Sequence, residues 1–188
     1  MTIPTLTTER LVLRPFVHED LARLAEVHAE ESFWWYPLRG GMSMEQTTGF
    51  LVRTIERYET DGFGIEAVLD RRSGTMIGWA GLAVPHFLPE ILPAVEVGWR
   101  LSRSFWGQGL ATEAGEAALQ WGFTGGGLER IVSIYEPENV ASGKVMEHLG
   151  LTPYLTTTHP ERGETMIVTE LTRAQWQARQ SRGDPAHG

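Results

Sequence analysis

Two glycines, Gly107 and Gly109, stand between a stretch that alternates and a stretch with helical spacing. Upstream, Val95, Val97, Trp99 and Leu101 alternate with Glu96, Gly98 and Arg100, the period of a strand. Downstream, Leu110, Ala114, Ala117, Ala118 and Trp121 recur as one face of a helix. Glycine lets a backbone turn sharply and approach a ligand with no Cβ in the way. A helix that starts in such a turn presents unpaired N–H groups and the positive end of its dipole, which together hold a phosphate. Two common phosphate motifs do not apply. The dinucleotide fingerprint needs a third glycine where Thr112 stands, and a P-loop ending at Gly143-Lys144 would need glycine at Glu138 and Ser or Thr at Val145.

Proton-handling residues lie beside this turn. Glu96 is a carboxylate inside an otherwise apolar strand, where burial would raise its pKa and suit it to act as a general base, directly or through one water. The alternative is structural: Glu96 caps a sheet edge or pairs with Arg100, two strand pairs along on the same face. Glu66 is a lesser candidate, since alternation puts it opposite the apolar face of its own strand, where a solvated carboxylate is expected. His86 is an alternative base. His18, His148, His159 and His187 show no metal-ligand spacing, and no metal is expected.

The elements that would position these groups read in chain order. A short strand over 10–14 precedes a helix from about Glu19. Ser43-Met-Glu-Gln46 is a capping box for a second helix. Strands over 64–70 and 76–84 flank the turn Asp70-Arg-Arg-Ser-Gly74, and a proline-rich loop leads into the central strand. Gly125-Gly-Gly127 ends the central helix, Arg130 to Tyr135 is a β-branched buried strand, and Asn139 caps a helix closed by Gly150. Strands over 154–159 and 164–170 form a last hairpin, and Thr172-Arg-Ala-Gln175 caps a C-terminal helix. One domain over 1–180 is expected, with 181–188 a disordered tail.

Phe105-Trp-Gly-Gln-Gly-Leu-Ala-Thr-Glu-Ala114 resembles the acetyl-CoA-binding segment of the GNAT N-acetyltransferases, in the branch that acetylates ribosomal-protein N-termini. A second matching motif, Asn139-Val-Ala-Ser142-Gly-Lys-Val-Met146-Glu-His-Leu-Gly150-Leu151, follows in the right order, and the resemblance covers roughly 6–176. It implies an α/β (α+β) fold: a single mixed, mostly antiparallel sheet covered by helices on both faces, its central strand pair splayed around the cofactor's pantetheine arm. It implies that the diphosphate of acetyl-CoA rests on the N–H groups of Gly107, Gln108, Gly109, Leu110 and Ala111, with Arg103 supplying charge. Trp99 and Leu101 would contribute through the main chain of the central strand, which is also expected to hold the oxyanion. Asn139 and Ser142 would line the cofactor arm, and Ser142 is placed with Glu96 among the catalytic residues. Trp34, Trp35, Tyr36 and His86 flank the expected acceptor opening. Many family members have Tyr where this chain has Met146, a side chain with no proton to donate. A thiol pKa near ~8.5 makes the thiolate a fair leaving group, so no general acid is expected at that position.

The expected reaction is direct transfer of an acetyl group to a primary amine, either a protein N-terminus or a small molecule. A catalytically inactive CoA-binding sensor or partner module is the alternative. The chain has 188 residues and no cysteine, which excludes disulfides, thiolate metal sites and a Cys nucleophile. Its net charge of −8 argues against nucleic acid and mildly favours a basic acceptor. No apolar run is long enough to span a membrane, and the N-terminus does not read as a secretory signal, so a cytoplasmic protein is expected. The exposed-looking tryptophans suggest a homodimer.

Overall fold

Alternating apolar residues and local caps set the elements of the computed structural model, which describes residues 3–34 and 40–182. The strands are β1 (Leu6–Thr7), β2 (Leu11–Pro15), β3 (Ile65–Asp70), β4 (Met76–Ala83), β5 (Glu96–Leu101), β6 (Arg130–Tyr135), β7 (Thr152–Thr158) and β8 (Thr165–Thr172). The helices are α1 (Leu21–Ala29), α2 (Met44–Asp61), α3 (Leu110–Thr124), α4 (Val140–Leu149) and α5 (Arg173–Ser181). The strands form one open, mostly antiparallel sheet in the order β1-β2-β3-β4-β5-β6-β8-β7. β5 and β6 run parallel, and α3 is the crossover that a parallel pair requires. No helix among the described residues is long and apolar enough to cross a membrane.

The chain divides into two compact units, Met1–Gly81 with Trp99–Ala117, and Leu82–Gly98 with Ala118–Gly188. In the first, both sheet faces are covered. Leu11, Leu13, Val68 and Ala80 pack with Leu110 and Ala114 of α3, while Ala67 and Met76 pack with Leu24 of α1 and Leu51 of α2. Ser43 starts α2 as its capping box foretells: its hydroxyl accepts the Gln46 N–H at 3.2 Å and its own N–H reaches the Gln46 amide at 2.8 Å. The 70–74 turn closes with the Gly74 N–H on the Asp70 carbonyl at 2.8 Å.

In the second unit, Leu88, Ile91 and Ala94 of the proline-rich loop pack on Val132, Met166 and Val168. Asn139 caps α4 by accepting the Ser142 N–H at 3.2 Å, and Gly150 ends it at φ +80°. Gly125 and Gly126 both donate to the Trp121 carbonyl at 2.8 Å where α3 stops. α5 docks through its arginines. Arg173 donates to the Leu128 carbonyl at 2.8 and 2.9 Å, and Arg179 donates to the carbonyls of Leu149 and, at 3.0 Å, His148. Trp176 lies 5.4 Å from Phe123, centroid to centroid.

Sequence reading misses β1, whose two residues carry no period, and the single 3-10 turn His18–Asp20 before α1. It also starts β7 too late, at Tyr154. Pro153 belongs to the strand because β7 is at the sheet's end, where a missing N–H is tolerated.

Candidate active site

The residues singled out by sequence fall in both units. In the first, β5 ends at Leu101 and a 3-10 turn over Arg103–Phe105 follows. The turn is closed by Phe105 N–H on the Ser102 carbonyl at 2.9 Å and by the Trp106 indole N–H on the Leu101 carbonyl at 2.7 Å. Gly107 and Gly109 then take φ of +71° and +76°, the left-handed region that a side chain disfavours. A Cβ at Gly107 would meet nothing within 4 Å, so that glycine answers to the backbone and not to crowding. The helical ladder of α3 begins only with the Glu113 N–H on the Gly109 carbonyl at 3.0 Å. Among the described residues, no protein acceptor meets the N–H groups of Gly107, Gln108, Gly109, Leu110 or Ala111. Gly107, Gln108 and Gly109 are exposed. A row of unpaired donors at the positive end of a helix dipole is suited to an anion.

Leu101 is buried in the core beside Leu110, and Trp99 packs half-buried against the same cluster. Arg103 is exposed, its guanidinium 6.0 Å from the Trp106 ring centroid. A second cation, which sequence reading does not single out, touches the turn itself: Arg10 donates to the Gln108 carbonyl at 2.7 Å.

In the second unit, Glu96 stands in register with Val132 of β6. The Val132 N–H donates to the Val95 carbonyl at 2.9 Å, an ordinary ladder bond. One step further the ladder changes character. The Ser133 hydroxyl donates to the Val97 carbonyl at 2.8 Å. A side chain thus takes the carbonyl that the next backbone bond would use, and Glu96–Val132 is the pair in register here. Burial pushes the Glu96 carboxyl up to about 8, against the lowering effect of the Ile134 N–H. Arg100, the structural partner considered from sequence, donates to the Phe33 carbonyl at 2.8 Å and stacks over the Phe33 and Trp79 rings.

Asn139 uses its side chain as the α4 cap, and Ser142 occupies the first turn that it caps. Met146 is 2% exposed and accepts a 3.5 Å contact from the Thr169 hydroxyl, so its thioether is part of the core. Tyr135 packs against Gly143, where a Cβ would approach its ring to 2.9 Å.

Other expectations are corrected. Glu66 is not solvated: it is 4% exposed, in register with Pro15 and Ala80, and burial pushes its pKa up to about 8. Tyr154 is 39% exposed, with the Arg130 guanidinium 5.2 Å from its ring centroid. His86 is exposed, and the neighbouring Phe87 ring stacks on His159 at 5.5 Å. Trp35, Tyr36 and the Trp34 side chain lie outside the described residues.

The acetyltransferase (GNAT) domain family matches residues 10–152. The uncharacterized N-acetyltransferase YnaD of Bacillus subtilis is 27% identical over 146 residues, covering 78% of this chain and 81% of that one. The ribosomal protein uS5-alanine N-acetyltransferase of Escherichia coli is 29% identical over 154 residues, covering 77% and 76%. Among solved structures, the acetyltransferase of Agrobacterium tumefaciens superposes with a TM-score of 0.75 at 28% identity, over 91% of this chain and 95% of that one. With the family's domain matched across both the glycine turn and α4, the chain belongs to the GNAT family and is an N-acetyltransferase.

Proposed function

We propose that this protein transfers an acetyl group from acetyl-CoA directly to a primary amine, with Glu96 as the base. The observation that carries the reading is the run of unpaired N–H groups from Gly107 to Ala111 at the start of α3. The turn fits a diphosphate by its own chemistry: consecutive donors, exposed glycines and nothing within 4 Å of a Cβ built on Gly107. Acetyl-CoA supplies an activated thioester whose sulfur is a competent leaving group near neutral pH. The chain's part is to orient that donor, to hold the developing negative oxygen with a β5 main-chain N–H, and to take a proton from the amine. Glu96 suits the last task, because a carboxyl poised near 8 has real basicity yet still ionises in the working range. Met146 is buried and has no proton to give, and a thiol pKa near ~8.5 lets the sulfur leave as the thiolate without one.

The favoured acceptor is a protein α-amino group. At a pKa of about 7.7–8.0, roughly a tenth of it is neutral at pH 7, against under about a thousandth of a lysine. The negative net charge and the uS5-alanine acetyltransferase among the relatives support the same acceptor. Small-molecule amines are the alternative, and the cytoplasm is the compartment that this donor implies. The test is free-thiol release from acetyl-CoA with a panel of amines: N-terminal peptides, polyamines and amino acids. Turnover with α-amines over lysine side chains is expected. Binding of acetyl-CoA with no turnover on any amine would refute the proposed reaction.

A further inference from the structure

Glu113 poses a problem for the proposed anion site. It lies in the first turn of α3, where a carboxylate charge would oppose a diphosphate on the adjacent N–H groups. The fold answers by surrounding it with donors from the other end of the chain. The Thr8 hydroxyl donates to Glu113 Oε1 at 2.6 Å, the Arg10 N–H donates to the same oxygen at 2.8 Å, and Arg10 Nε donates to Oε2 at 2.6 Å. Burial acts to raise this carboxyl, but these donors outweigh it and hold the group below its ordinary range, so it is ionised and compensated in place. The residue is 6% exposed.

The same arginine does a second thing. Its Nη1 donates to the Gln108 carbonyl at 2.7 Å. In a planar trans peptide, the carbonyl and the following N–H point in opposite directions. Fixing the Gln108 carbonyl toward Arg10 therefore fixes the Gly109 N–H away from it, on the side left open. Arg10 is itself held: Arg71 donates from its N–H to the Arg10 carbonyl at 2.8 Å and from Nη1 to the Thr8 carbonyl at 3.1 Å. Arg10 Nη2 lies 3.5 Å from where a Gly109 Cβ would be.

We propose that Arg10 is a positioning residue for the phosphate end of the acetyl donor, aiming the Gly109 N–H at the diphosphate and cancelling the Glu113 charge. This rests on the reading that the glycine turn holds that diphosphate. A role confined to fastening the β1–β2 turn to α3 would affect every donor molecule alike, whereas a role in phosphate recognition affects only donors that carry phosphate.

The experiment compares acetyl-CoA with S-acetylpantetheine, which has the same thioester and no phosphate, on wild type, Arg10→Gln and Arg10→Lys. Wild type is expected to prefer acetyl-CoA. Arg10→Gln raises the KM for acetyl-CoA by about 10–100-fold, the value of a charge-assisted hydrogen bond or two. It leaves kcat at saturation within about 2-fold, and leaves the KM for S-acetylpantetheine unchanged. Arg10→Lys is intermediate, since an ammonium cannot reproduce the two-pronged grip. If Arg10→Gln shifts both donors equally, or neither, the assignment of Arg10 is overturned while the diphosphate reading stands. If wild type itself does not distinguish the two donors, the diphosphate reading fails first and Arg10 falls with it. Should Arg10→Gln not fold, the two-donor ratio on Arg10→Lys decides in the same way.

Discussion

Glu96 is half-buried in β5, and burial there raises its carboxyl pKa, which makes a measurable claim. Its ionised fraction rises as pH rises through about 8, so base catalysis should rise over the same interval. With an acceptor amine whose own pKa lies well below 7, the kcat/KM profile of wild type should show this acidic limb. Glu96→Gln should remove the limb and lower kcat/KM by about 100-fold or more. An unchanged profile would show that Glu96 is not the base. Glu66 makes a different claim, about stability. Its folded pKa is raised by burial to about 8, so the stability it carries is full below the unfolded value of about 4.3 and is lost as pH rises through 8. Glu66→Gln should therefore flatten the fall in melting temperature across that window and stabilise the protein at pH 8 by about 1–3 kcal/mol. Glu96 could be picked out in the sequence because it interrupts an apolar run. Glu66 could not be read correctly, because β3 is covered on both faces, and alternation predicts a wet side only where one face meets water. Arg10 and Glu113 are 103 positions apart, and nothing local joins them.

What sequence discloses best at the scale of elements is whatever acts over three or four residues. The boxes at Ser43 and Thr172 both form with their reciprocal bonds, and Asn139 and Gly150 bound α4 where their types suggest. β6 likewise spans the β-branched stretch that announces it. The change in the β5–β6 ladder was open in the sequence, because it depends on Ser133 reaching across to a neighbouring strand. Asn139 has two candidate duties, cap and cofactor contact, and two substitutions separate them. Asn139→Ser keeps a capping oxygen and should leave stability nearly unchanged, while Asn139→Ala should cost about 1 kcal/mol. If the side chain also touches the cofactor, both variants should raise the KM for acetyl-CoA. If it only caps, the serine variant should behave as wild type in the thiol-release assay.

Over the whole molecule, a net charge of −8 sets how charged partners approach. A basic peptide is drawn in and a polyanionic donor is repelled, and both effects shrink as salt screens them. Raising ionic strength should therefore raise the KM for a basic N-terminal peptide, with little change for a neutral one of the same length. Equal salt dependence for the two would remove long-range charge from the account. The family's domain is matched only to residue 152, yet the described chain goes on to β8 and α5. The nine residues of α5 supply the arginines that close the carbonyls of Leu128, His148 and Leu149. A protease clipping just after Thr172 would therefore do more than trim an end: it would bare a carbonyl in the loop after α3 and two at the end of α4, and the clipped product should unravel at a lower temperature although every residue of α3 and α4 is still present.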